Sequence, residues 1–183
     1  MAHSHNCLLR GLNAVPQQGP HIPSSSQPGY NPQDVKDLLF YVEAWTKTVD
    51  HHHDTEESTM FPAIENLAGI PGLMSGPKHQ HEEFHSGLVQ LQSYSVKMKD
   101  QLQEYQWKEM QSVIDRFAPS LYRHLEEEIG VIMDLEKSCD SEGLKKVWAE
   151  AEAVAKANGN LGMLVSFLFL SHIFLSSLLC TWM

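Results

Sequence analysis

The sequence predicts an all-α fold, a bundle of amphipathic helices, and three observations carry that prediction. Apolar residues recur at helical spacing in one segment after another. Pro- and Gly-rich punctuation separates those segments. No Val- or Ile-rich alternating run bounded by hairpin turns occurs, which argues against a sheet. The chain has 183 residues, enough for one ordinary domain with a single sizeable core.

Residues 4–15 form the first helix candidate, with Leu8, Leu9, Leu12 and Val15 on one side. Residues 16–29 are rich in Pro, Gly, Ser and Gln and read as a loop. Asn31 followed by Pro32 is a strong helix start, an N-cap with proline in the first turn. The stripe Leu38, Val42, Trp45, Val49 then predicts a long helix to about residue 67, kinked at Pro62. Residues 69–77 form a Gly/Pro turn. The next helix starts near Lys78 and carries Leu88, Leu91, Met98 and Leu102. A break at residues 104–107 leads to another, with Met110, Ile114, Phe117, Leu121, Ile132 and Leu135, bent at Pro119. A last amphipathic segment, residues 144–157, is expected to pack outside the bundle. These boundaries divide the chain into a bundle over residues 1–138, with its loop at 16–31, a peripheral helix at 139–160 and an apolar tail at 161–183.

The formal charge is −10, so the chain repels phosphate backbones, and nucleic acid is not an expected partner. Cys7, Cys139 and Cys180 are scattered and make no CxxC pair, which fits a reducing compartment better than a disulfide framework. No basic start followed by an apolar run opens the sequence, so no secretory leader is expected there. The unusual number is 11 histidines, and neutral imidazole is the commonest protein ligand for transition metals.

Laid on the predicted helices, several of those histidines continue the apolar stripes. Leu38 and Trp45 lead, in steps of seven, to His52, and Val42 and Val49 lead to Glu56. His81 lies seven residues before Leu88, and His85 is four after His81. Phe117 leads to His124 and Leu121 to Glu128, while His5 shares the side of Leu8, Leu9 and Leu12. Metal-competent groups thus fall where the pattern demands core. A buried imidazole or carboxylate without a partner costs several kcal/mol, so a compensating interaction is needed. Metal ions bridged by carboxylates supply one, and bundle cores build such sites from facing helices. Spacing alone is weak evidence, because His53/Glu57 and His79/Glu83 repeat the H-x3-E spacing of His52/Glu56 and His124/Glu128. His53/Glu57 is the alternative register, His79/Glu83 reads as a solvent pair, and His3 and His21 read as surface residues.

The string His51-His52-His53-Asp54-Thr55-Glu56-Glu57-Ser58-Thr59-Met60-Phe61-Pro62 resembles the H-x3-E-E…F-P signature of hemerythrin-like, HHE-type cation-binding domains. His81-Glu82-Glu83-Phe84-His85 resembles their H-x3-H helix, His124-Leu125-Glu126-Glu127-Glu128 their last ligand helix, and the segment from His5 to Leu12 their first. The resemblance covers residues 3–135 and is closest to fungal-type members. It implies an up-down-up-down four-helix bundle holding two non-haem iron ions. By this resemblance His81, His85 and His124 hold one iron, His5 and His52 hold the other, and Glu56 and Glu128 bridge them. The iron with fewer histidines keeps an open position for dioxygen or another small diatomic or peroxide ligand. The donor set suits iron, and after it manganese, better than copper(I). The sequence departs from oxygen carriers of this type in the last helix. They use H-x4-D, whereas Ile129 holds the fifth position here and Glu128 at the fourth must serve.

The expected function is therefore binding, sensing or buffering of dioxygen or iron. A di-iron enzyme acting on peroxide or nitric oxide, or a metal-free helical interaction module, are the alternatives. Residues 161–183 contain no Asp, Glu, Lys or Arg and are long enough to span a bilayer. They read either as a membrane tail anchor beneath a cytosolic bundle or as an altered terminus, since Met163 to His172 resembles the start of the apolar segment that follows fungal-type domains. Without the anchor, the expected location is cytoplasmic.

Overall fold

The computed structural model describes residues 1–159, all of whose long elements are helices. Helix α1 spans Ala2–Gln18, so it runs past its apolar stripe and takes Pro16 into its last turn. Helix α2 spans Pro32–Thr55 and starts as expected: the Asn31 side chain accepts from the Gln33 backbone N–H at 3.1 Å, with Pro32 behind it. It does not run on as one α-helix to a kink. A π-helical turn, Glu56–Met60, intervenes before α3, Phe61–Ala68, and the Phe61 N–H reaches back five residues to the Glu56 carbonyl. The widened turn lies immediately before Pro62, whose missing N–H would leave a gap in a regular ladder. Gly69, at φ +66°, closes α3 in the left-handed region that glycine enters without strain. Helix α4 spans Ser75–Lys99, α5 Trp107–Asp134, continuous through Pro119, and α6 Ser141–Asn158.

Cross-helix contacts give the topology. Gln80 meets Glu127, Gln90 meets Arg116, and Glu83 meets Arg123, so α4 and α5 run antiparallel. His81 lies against His53, and Lys99 against Glu43, so α2 and α4 are antiparallel too. The Trp45 indole donates to the Leu8 carbonyl at 2.9 Å and the Tyr41 hydroxyl to the Gly11 carbonyl at 3.1 Å, which ties α1 antiparallel to α2. Asn13 meets Tyr122 and His5 meets Leu125, closing the ring between α1 and α5. The result is an up-down-up-down four-helix bundle. Its main core includes Leu12, Leu38, Trp45, Leu88, Phe117 and Leu121. Burying each such side chain contributes about 1.5–3 kcal/mol.

Antiparallel order also places the start of α1, the end of α2, the start of α4 and the later half of α5 at one end of the bundle. All the ligand candidates lie there. A second, smaller core caps this end. Met60, Phe61 and Ile64 pack with Met74, Leu135 and, from α6, Val147 and Ala151. Asp140 N-caps α6 by accepting from the Gly143 N–H at 2.8 Å.

α4 and α5 pack tightly at Gly87, where an added Cβ would stand 2.4 Å from the Phe117 Cβ. Gly87→Ala is therefore expected to destabilise the bundle by about 1–3 kcal/mol through overpacking, read as a lower urea midpoint. An unchanged midpoint would mean the two helices can part without cost.

Among the described residues, no helix is long and apolar enough to cross a membrane. The tail expected at 161–183 lies outside the described residues.

Candidate metal centre

Two histidines one residue apart in sequence both enter the bundle from α2, because two heptad series run side by side there. Leu38, Trp45 and His52 form one; Leu39, Thr46 and His53 form the other. The first faces α1 and the second faces α4. His5 and His52 accordingly meet edge-on, with ring centroids 5.2 Å apart. His53 lies 4.3 Å from His81 and 5.1 Å from His124 by the same measure. Glu56, one turn on, touches both groups: Oε1 is 3.0 Å from His52 Nε2 and Oε2 is 3.6 Å from His81 Nε2. Glu128 Oε2 lies 3.1 Å from His5 Nε2. The donor atoms of His53, Glu56, His81 and His124 fall within 4.8 Å of one another, as do those of His5, His52 and Glu56.

The site is dry. His5, His53, Glu56, His81, His124 and Glu128 are all buried, the last two completely. Phe84 lies 5.1 Å from the His53 ring and 5.5 Å from that of His124, and Phe61 stacks 5.7 Å from His81. Only His52 keeps appreciable exposure, at 17% of its side chain.

Outer partners decide which ring nitrogen faces inward. His5 Nδ1 donates to the Leu125 carbonyl at 2.8 Å, and His81 Nδ1 donates to the Glu57 carboxylate at 2.8 Å. His124 Nδ1 donates to the Gln80 amide oxygen at 3.2 Å, and that amide is itself oriented because its nitrogen donates to Glu127 at 2.6 Å. With the hydrogens on Nδ1, each of these Nε2 atoms presents a lone pair to the interior. His81 Nε2 and His124 Nε2 then oppose lone pair to lone pair at 3.1 Å. The remaining donors are equally unserved: Nε2 of His5, His52 and His53, and both oxygens of Glu56 and Glu128, are buried without an aligned hydrogen bond despite their short contacts. Buried polar atoms are normally satisfied. A cluster of converging lone pairs without hydrogens between them fits a cation, and imidazole plus carboxylate without thiolate fits a transition metal such as iron.

Burial, followed by repulsion from His5, pushes His52 down to about 3. Burial and the neighbouring His81 likewise push His124 down to about 2, and His53 falls well below its ordinary value for the same reasons. Burial and then Glu128 push Glu56 well up. These shifts predict a pH profile for the metal-free protein. The three histidines take protons in the unfolded chain near pH 6.5 but not in the fold, so their stability contribution is lost as pH falls below that value. Glu56 acts oppositely, since its contribution is full below 4.5 and lost as pH rises through its raised value. Histidines outnumber it, so stability should fall between pH 6.5 and 4.5, by about 1.4 kcal/mol per unit for each uncompensated proton. Urea unfolding in chelator across that range reads the slope, and a flat profile would contradict the shifts.

Six of the seven residues expected from the sequence come together here: His5, His52, Glu56, His81, His124 and Glu128. His85, expected beside His81 from the H-x3-H spacing, lies outside this group. The buried positions of α4 are Pro77, His81, Phe84, Leu88, Leu91, Ser95 and Met98, a stripe that leaves His81 by three residues rather than four. Phe84 takes the inward place and His85 is exposed. His53 stands where His85 was expected. The two registers open in the sequence are not exclusive, since His52 and His53 both face inward, while Glu57 supports His81 from outside. His51 lies outside the cluster and bonds the Ala155 carbonyl at 3.0 Å. His79 is exposed and pairs with Glu82 at 3.3 Å, and Glu83 pairs with Arg123.

A family model described as "Hemerythrin HHE cation binding domain" matches residues 1–135. The chain is 36% identical over 152 residues to "Dimeric xanthone biosynthesis cluster protein R11" from Cryptosporiopsis sp. (strain 8999), a match covering 83% of this chain and 54% of the relative. The chain thus spans about half the length of that relative. No solved structure matches it.

Proposed function

The chain belongs to the hemerythrin HHE cation-binding domain family, and from that premise we propose that it holds two iron ions in the bundle end and serves to bind, sense or buffer dioxygen or iron. His53, His81 and His124 hold one ion, His5 and His52 hold the other, and Glu56 and Glu128 lie between them. The carrying observation is the facing of His81 Nε2 and His124 Nε2 with their hydrogens committed outward.

Bound iron supplies redox change and Lewis acidity. The chain's own residues do the rest. Glu57, the Gln80 amide and the Leu125 carbonyl hold three imidazoles in one tautomer and one orientation. Phe61 and Phe84 keep water from the three-histidine side. His52, the most open ring, marks the side a small ligand reaches.

The test is metal analysis of protein expressed with iron, with optical spectra before and after aeration. About two irons per chain, as in di-iron bundles, and a charge-transfer band on aeration are the expected results. A metal-free protein of equal stability would defeat the reading. Turnover of a small molecule is a second reading, favoured by a cavity that reaches His52 and Glu56. The biosynthetic name of the relative points the same way.

A further inference from the structure

A cavity of about 540 Å3 lies between the start of α1, the end of α2 and α6, and its inner end is formed by His52 and Glu56. A diatomic molecule needs little more than the ~30 Å3 share of one water. The space instead falls within the range of about 300–1,000 Å3 typical of sites for small organic ligands. Its outer wall (Trp148, Ala151 and Ala155) comes from α6, which lies beyond the residues 1–135 that match the family. The matched domain therefore does not itself supply this wall.

The lining specifies the occupant. Leu8, Met60, Ala151 and Ala155 offer apolar surface, and Trp148 offers a ring face. The polar side chains along α2 are already engaged. Thr48 donates to the Ala44 carbonyl at 2.8 Å, Thr55 to the His51 carbonyl at 2.8 Å, and His51 to the Ala155 carbonyl at 3.0 Å. The buried polar atoms of the lining that lack an aligned hydrogen bond are His52 Nε2 and the Glu56 oxygens, at the inner end. Exposed His3, Ser4 and Glu152 mark the mouth.

The geometry points to this cavity as the binding site of a ring-containing, mostly apolar organic molecule that carries one hydroxyl or carbonyl oxygen and directs it to the His52–Glu56 end. The direction of the oxygen rests on the metal reading above; the apolar site does not.

The probe is 2-naphthol, titrated by calorimetry into the metal-loaded full chain. Saturable binding at one site is expected. Ala155→Trp, which fills the cavity, should weaken it by at least about tenfold. Ala153→Trp, at an exposed position of the same helix, should leave it unchanged. Cys7 lines the cavity and gives an independent readout that needs no variant. With 2-naphthol at about ten times its Kd, alkylation of Cys7 should slow about tenfold by mass action, while Cys139 is unaffected. If Ala155→Trp fails to fold, the Cys7 footprint decides alone. Absence of both saturable heat and Cys7 protection overturns the proposal, as does undiminished binding by a folded Ala155→Trp. Metal counted in the same samples keeps the two readings apart: saturable, cavity-specific binding to a metal-free chain would uphold the apolar site and sink the iron centre.

Discussion

Glu56→Ala is expected to act in opposite directions on the two forms of the protein. In the metal-free form at neutral pH, Glu56 is a buried carboxyl whose ionisation is opposed first by burial and then by Glu128. Removing it relieves that penalty, so metal-free stability should hold or rise, by up to about 2 kcal/mol. In the metal-loaded form, Glu56 is the residue that touches both histidine groups, at 3.0 Å from His52 and 3.6 Å from His81. Losing it should release metal and the stability that binding confers, about 2.7–4.1 kcal/mol at metal concentrations of 100 to 1,000 times Kd. Thermal melts with and without chelator read both signs in one experiment. An equal fall in both forms would make Glu56 a structural residue and nothing more.

The second large effect separates His53 from His85. Both are histidines near α4's end of the bundle, but only His53 is buried against His81 and His124. His53→Ala is expected to lower bound metal by about half or more, since one ion would lose one of its three imidazoles. His85→Ala should leave metal content unchanged and stability within about 0.5 kcal/mol, as for an ordinary surface substitution. Metal per chain after purification decides it. The reverse result, with His85 required and His53 dispensable, would mean that α4 turns by most of a residue when metal binds.

Much of this architecture was legible in the residues. The helices, the Asn31–Pro32 start and the coincidence of His52, Glu56, His124 and Glu128 with apolar stripes follow from helical spacing alone. The choice between Phe84 and His85 was not, because positions three and four beyond His81 lie on either side of the same axis. Which one turns inward depends on the slant of the whole stripe down to Met98, a property of packing against α2 and α5. His53 was readable in principle. The series Leu39, Thr46, His53 runs beside Leu38, Trp45, His52, but a threonine in the middle disguised it as a polar face. Thr46 is buried all the same, with its hydroxyl donating to the Glu43 carbonyl at 3.0 Å. The cavity was invisible to local spacing, since α1, α2 and α6 meet there from distant parts of the chain.

The extra residue accommodated between Glu56 and Met60 works as a slip joint. Upstream of it, the rotation of the helix is dictated by where His52, His53 and Glu56 must aim; downstream, by how Phe61 and Ile64 must seat under α6. Deleting one residue from that turn would lock the two halves together and swing the downstream half by about 100°. The centre's aim and the seating of its cap can therefore be altered independently, so long as the joint is kept.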